Sequence, residues 1–263
     1  MNSEVTTLDL APPSSRRTTG AYLQEIRCEA LRMMRNPGIF IPVIVMPTGL
    51  YALFTQVITS GAIDADPSLG IFLFAAFSIM ATSMPALFGI GTTLALERDM
   101  GLMRLKRVQP APAGSWLIAK IVCGVGFGIV SYAPIAVLGL LSGKLAMSPG
   151  ALMSMSVVMV VCSIPFCAMG LMIGSLARGN AAPGYANLIY LPGCYLSGMF
   201  FPLKGALLWQ APIWPQYHVV QLAMHAGGAT KFQFGTAQSA IVALVGFTVL
   251  FSAVAIWRLA KKG

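Results

Sequence analysis

Charged residues are missing from six long stretches of the chain: Ile39 to Ser60, Leu69 to Leu96, Ile121 to Gly143, Leu145 to Ala177, Ala181 to Leu203 and Phe232 to Trp257. Each reaches the roughly 20 apolar residues that carry a helix across a bilayer. None alternates apolar with polar positions as a barrel strand does. Because a backbone in lipid must satisfy its own hydrogen bonds, the pattern predicts six transmembrane helices. A seventh stretch without Lys, Arg, Asp or Glu, Gly205 to Thr230, is broken by Pro212, Pro215, Gly227 and Gly228 and carries Gln210, Gln216, His218, Gln221 and His225. It reads as a structured outer loop, within about residues 204–231, whose parts Leu207 to Trp214 and Gln216 to His225 form short re-entrant or interfacial helices.

Ahead of the first span the period changes. From Thr19 to Met34, Leu23, Ile26, Ala30 and Met33 recur at helical spacing, Glu25, Arg27, Glu29, Arg32 and Arg35 make up the polar remainder, and Asn36-Pro37 stops the helix. Such a helix is expected to lie along the inner membrane surface. The first 37 residues are charged throughout and contain no apolar signal-peptide core. The expected fold is an all-α integral membrane protein: a cytoplasmic arm (1–37) with an amphipathic interfacial helix, a six-span domain (38–258) with re-entrant or interfacial outer helices between spans five and six, and a short cytoplasmic tail (259–263).

Composition agrees with this outline and narrows it. Of 263 residues 57% are hydrophobic and 10% charged, with a mean hydropathy of +0.77, against about a quarter charged in a soluble domain. That excludes disorder, coiled coil and an ordinary soluble enzyme. The basic excess, 17 Lys and Arg against 8 Asp and Glu, would point to nucleic acid in a soluble protein. Here its placement points to orientation instead. Fourteen cations fall in the N-terminal arm, the loop after span two, the foot of span three, the turn at Arg178 and the tail, whereas the opposite loops hold only Lys144, Lys204 and Lys231 beside Asp64 and Asp66. The positive-inside rule then puts both termini in the cytoplasm; the expected setting is the inner (plasma) membrane of a bacterium, with lipid as surroundings and no nucleic acid as partner.

Most catalytic chemistry finds no residues to carry it. The cysteines at 28, 123, 162, 167 and 194 include no CxxC, and four fall within spans as small packing residues. His218 and His225 lie seven apart without a nearby Asp, Glu or Cys, and read as a solvated or interfacial pair rather than a metal site. Gly139 to Leu145 departs from a phosphate-binding loop in glycine spacing and ends in Leu where Ser or Thr would be needed. Gly124, Gly126 and Gly128, like Gly170 and Gly174, read as helix-packing positions. No span offers a mid-membrane ionisable group, since Glu97 and Lys120 fall at cytoplasmic ends where they can reach water. An ion-coupled carrier or channel acting alone is therefore the second reading, and a membrane enzyme the third. Prolines at 42, 47, 85, 134, 165 and 192 interrupt the first five spans, at about 3 kcal/mol each in an ordinary helix interior, a cost that suits kinked, moving helices better than a passive anchor. Ser78, Thr82, Ser83, Tyr190, Tyr195 and Ser197 are candidates to line a substrate pathway.

The segment after span two, Glu97-Arg-Asp-Met-Gly101-Leu-Met-Arg-Leu-Lys-Arg-Val-Gln-Pro110, interleaves apolar residues with four cations before Lys120 opens the next span. Together with Leu196-Ser-Gly-Met-Phe-Phe-Pro-Leu203 and the Trp209, Pro212 and Trp214-Pro-Gln-Tyr-His218 positions after it, this resembles the ABC-2 type permeases, the membrane subunits of ATP-binding-cassette exporters. The resemblance covers nearly the whole chain. It implies a coupling helix at about 97–108, seated on a separate cytoplasmic ATPase, with Glu97, Arg98, Gly101, Leu102, Arg104 and Leu105 at that interface and Glu97 paired to basic residues near the N-terminal helix. It further implies two permease copies, as a homodimer, and outward transport of a substrate. No cofactor is expected in this chain, because ATP and Mg would be bound by the partner ATPase, and the chain itself is not expected to be an enzyme.

Overall fold

Helix α1 (Ser15–Met34) ends where Asn36-Pro37 breaks the ladder, and α2 (Pro37–Leu53) starts with Pro37 in its first turn and widens into a π-helical turn, Phe54–Ile58. A computed structural model describes residues 15–108, 112, 114–203, 205 and 208–262, leaving the side chains of residues 15–17, 39, 40, 104, 107 and 262 aside. Among the described residues the secondary structure is helical, without strands. Short α3 (Ser60–Ala65) leads to Asp66, whose carboxylate accepts the Ser68 amide at 3.2 Å and caps α4 (Pro67–Met84). The helix continues through a π turn, Pro85–Ile90, into α5 (Gly91–Asp99). The wide turn begins at Pro85, which has no N–H to give to the ladder. After α6 (Leu102–Val108) come α7 (Ser115–Leu141) and α8 (Pro149–Leu176), the latter capped by Ser148 Oγ on the Ala151 amide at 3.2 Å. Then follow α9 (Ala182–Leu196), α10 (Pro215–Gly227) and α11 (Ala237–Lys262).

Among the described residues five helices are long and apolar enough to cross a membrane: Ile41–Ile58, Pro67–Asp99, Ser115–Leu141, Pro149–Leu176 and Ala237–Lys261. They correspond to predicted spans one to four and six. The stretch expected as span five, Ala181 to Leu203, forms only the 15-residue α9, about 22 Å at 1.5 Å per residue against a hydrocarbon core of roughly 30 Å. Its end is a backbone event. Gly198 adopts φ +76, its amide donates to Tyr195 O and that of Met199 to Cys194 O, both at 3.2 Å, a paired closure that consumes the last carbonyls and turns the chain away. Gln210 Nε2 adds a bond to Leu196 O at 2.8 Å.

The second span is the centre of the bundle, with every residue from Gly70 to Ser83 buried. Glycines let its neighbours approach. A Cβ at Gly174 of α8 would stand 2.6 Å from Gly91 O, one at Gly170 would overlap the Ala86 carbonyl, and one at Gly124 of α7 would meet Cys167 Sγ at 2.9 Å, whereas Gly126 faces open space. The packing role expected of Gly170 and Gly174 is thus met atom by atom, and that of the 124–126–128 series at its first and last members.

Of the two outer-loop helices expected, the first is a short 3₁₀ turn, Ala211–Ile213, and the second is α10, extended at both ends; Lys204 and Leu207 lie outside the described residues. The α10 helix is no surface element, since Gln216, His218, Val219, Val220, Ala223 and Met224 are buried. Of the two histidines expected to be solvated or interfacial, His218 is buried and His225 partly exposed. His218 Nε2 bonds to Pro212 O at 2.9 Å and His225 Nε2 to Gly235 O at 2.8 Å, so each ties α10 to a flanking loop. Among the described residues no cluster of His, Cys, Asp and Glu is placed to hold a metal.

Candidate functional site

Glu97, Arg98 and Asp99 close α5, and each reaches a different part of the molecule. Glu97 is 2% exposed and Lys120, six residues into α7 counting Ser115, is fully buried, so neither reaches water as its position near a helix end had led us to expect. Lys120 Nζ instead donates to Glu29 Oε1 at 2.8 Å, Glu97 Oε1 at 3.1 Å and Thr93 Oγ1 at 3.5 Å. Arg32 Nη1 closes on Glu97 Oε1 and lies 3.9 Å from Glu29 Oε2. Two cations and two carboxylates from α1, α5 and α7 therefore form one charge-balanced cluster. Such a cluster is stable only while every member keeps its partner, because a single buried ion left unpaired is far more costly than the intact set.

Arg98 performs a different task. Its guanidinium donates to the carbonyls of Gly174, Ser175 and Ala177, the orphan acceptors at the C-terminus of α8, where the helix dipole also favours a cation. Asp99 Oδ2 accepts the Gly179 amide at 2.7 Å in the turn that leads into α9. One turn of helix thus holds α1, α7, α8 and the approach to α9.

Immediately beyond it, Gly101 takes φ +72 and swings the chain into α6, so the segment expected as one helix over 97–108 is two pieces hinged at a residue without a Cβ. Met103 of α6 is buried, while Met100, Leu105 and Val108 stand 62%, 60% and 81% exposed. Lys106 Nζ reaches Glu25 Oε2 at 3.4 Å and sits 5.8 Å from the Trp116 ring centroid. The residues predicted for a partner interface therefore separate: Glu97 and Arg98 turn inward, Gly101 is the bend, Leu102 is partly covered, Leu105 faces out, and the Arg104 side chain lies outside the described residues.

Five of the six predicted pathway residues are buried and the sixth, Tyr195, is exposed. Ser83 Oγ and Tyr190 OH share a 2.7 Å bond between the second span and α9, and Thr82 Oγ1 returns to Ser78 O at 3.1 Å. Ser78 and Ser197 are buried, and Tyr195 is exposed on α9. At the foot of the same seam a cleft of about 560 Å³ opens between α8 and α9, lined by Met172, Leu176, Arg178, Tyr185 and Ile189 among others.

Sequence reasoning missed Glu29, Lys120 and Asp99. A signal existed for Glu29: Tyr22, Glu25, Ile26, Glu29, Ala30 and Met33 form one continuous helical stripe, and these residues are the covered side of α1, while Leu23, Leu31 and Met34 face outward. The acidic residues assigned to the polar remainder are thus on the inner face, bonded to the cations of α6 and α7.

Residues 23–226 match the family described as ABC-2 type transporter, from the middle of α1 to the end of α10. The chain is also 26% identical over 178 residues to "Putative transport permease YvfS" of Bacillus subtilis (strain 168), a match covering 67% of this chain and 71% of the relative. With the family match extending over more than three quarters of its length, the chain is a multi-pass membrane protein that belongs to the ABC-2 type transporter family.

Proposed function

We propose that this chain is the membrane-spanning permease subunit of an ABC exporter, working as a homodimer and driven by a separate cytoplasmic ATPase that docks on α6. The observation that carries the proposal is the hub at the end of α5. An exposed apolar strip, Met100, Leu105 and Val108, is joined through the Gly101 bend to three consecutive residues gripping α1, α7, α8 and the start of α9. A push on α6 is thereby delivered to several helices together, and the Ser83–Tyr190 bond between the second span and α9 is a contact that parts when a pathway opens along that seam. The positive-inside distribution supports cytoplasmic placement of the hub and both termini. A sixth crossing then requires α9 together with the turns after it, in a bacterial inner membrane with α10 entering from the outer side.

Co-purification tests this. A chain with a Walker ATP-binding motif is expected to accompany the wild type from detergent-solubilised membranes, and Leu105→Asp with Val108→Asp is expected to abolish that association while leaving the melting temperature within about 2 °C, as for exposed positions away from the core. Transport by the chain alone in liposomes under an ion gradient would overturn the proposal in favour of a self-sufficient carrier.

A further inference from the structure

Helix α10 runs into the bundle rather than across its end. A Cβ at Gly227 would meet Met147, Met155 and Ile71, close to where α8 and α4 begin. His225 bonds to Gly235 just ahead of α11, and the His218 ring lies 6.0 Å from that of Phe247, well inside α11, so the two helices are antiparallel. From Gly227 back to Gln216 is about 16 Å at 1.5 Å per residue, roughly half of a 30 Å hydrocarbon core. Gln216 is fully buried there, and among the described residues neither its Oε1 nor its Nε2 has a hydrogen-bond partner. The other glutamines between α9 and α11 are used: Gln210 Nε2 donates to Leu196 O at 2.8 Å, Gln221 Oε1 accepts the Phe234 amide at 2.7 Å and Gln233 Nε2 donates to Met224 O at 3.1 Å. What covers the Gln216 amide is α9. A Cβ at Gly193 would stand 2.6 Å from Gln216 Nε2 and 2.8 Å from Trp214 Cε3, and Gly193 lies one turn beyond Tyr190, whose hydroxyl shares the bond with Ser83.

We infer that Gln216 lines the transport pathway: Gly193 caps its carboxamide in this conformation, and parting of α9 from α10 exposes it to water and to the substrate. The reason is energetic. A buried amide with both ends idle has lost its water and gained nothing in return, and a Met of similar length would fill the place without that cost. A group kept on such terms serves a conformation in which it is paired. The same seam holds the Ser83–Tyr190 bond, and α9 is loosely enclosed elsewhere: the cleft to α8 has about 560 Å³, and Leu188, Leu191 and Tyr195 are exposed. What the pathway presents at this level is a neutral donor and acceptor, since α9, α10 and residues 70–96 contain no Lys, Arg, Asp or Glu. The inference rests on the proposed transport function but not on ATP as its driving force.

Two measurements test it. In a detergent thermal scan of the full-length chain, Gln216→Met is expected to melt about 2–4 °C above wild type, because an idle amide is removed, whereas Gln221→Met, which breaks a made bond, melts below it. A melting point of Gln216→Met at or below wild type overturns the inference, since the amide then serves the fold. In spheroplasts producing the Cys28→Ser chain from its own locus, Gln216→Cys is expected to react with external 2-sulfonatoethyl methanethiosulfonate about ten-fold faster when energised than when ATP-depleted, as for a state populated at about 10% or less at rest. Ala223→Cys, fully buried on the same helix, is expected to stay unlabelled. Equal rates in the two conditions overturn the inference, and so does no reaction in either. Labelling restored to ATP-depleted spheroplasts by an imposed ion gradient sustains the inference and overturns the ATPase reading alone.

Discussion

Lys120 condenses the chemistry of this protein into one side chain. It is fully buried, yet two carboxylates and a hydroxyl surround its ammonium. Replacing it by Met leaves Glu29 and Glu97 facing each other with only Arg32 between them, and removal of one member of a buried ion set costs about 3–5 kcal/mol. Lys120→Met is therefore expected to melt many degrees below wild type in a detergent thermal scan, and adding Glu29→Gln, which leaves the Arg32–Glu97 pair balanced, to recover most of the loss; no recovery would show that packing, not charge balance, is what Lys120 supplies. His218 offers a pH-dependent counterpart in α10. Burial holds its imidazole below the ordinary 6.5, against the opposing pull of its bond to the Pro212 carbonyl. The unfolded chain thus takes up the proton first, so this contribution to stability is complete above about pH 6.5 and is lost as pH falls toward the folded value. Melting temperatures between pH 7.5 and pH 5.5 are expected to fall less steeply for His218→Gln than for wild type.

At the scale of elements, the pairing of α8 with the second span is set by two glycines. Gly174→Ala places a methyl 2.6 Å from Gly91 O and 2.9 Å from Cβ of Leu94, a backbone oxygen and a fully buried side chain with little room to give way. Overpacking of this kind costs about 1–3 kcal/mol, and the expected result is a lower melting point and poorer yield of folded protein. Gly126→Ala is the control: nothing stands near its Cβ, and a helix interior gains up to about 1 kcal/mol on exchanging Gly for Ala. An equal loss in both would mean that helix flexibility rather than close approach matters here. The position of α1 carries a related lesson. Its hydrophobic stripe predicted a helix resting on lipid, but the covered side is decided by what faces it. Lys106 and Lys120 stand there, so Glu25 and Glu29 turn in and Leu23 and Met34 turn out.

Across the whole molecule the charges gather at two ends. One holds the hub; at the other, Lys144 pairs with Asp64 and Lys231 with Asp66, tying the loops before α4, α8 and α11. The first four spans and the last were legible in the sequence to within a few residues at most ends, because length and hydrophobicity are local sums that the bilayer reads directly. So were α1 as a helix and the packing role of Gly170 and Gly174. Three features came only from tertiary structure. The short α9 ends on a left-handed glycine and a carbonyl closure that hydropathy does not register. The split of residues 97–108 into an inward anchor and an outward helix depends on which neighbours offer counter-charges. The ion cluster joins residues as far as 91 positions apart, and a charge at a helix end reads the same in sequence whether it meets water or another chain segment. What surrounds a polar group decides its energy, and only the folded chain supplies the surroundings.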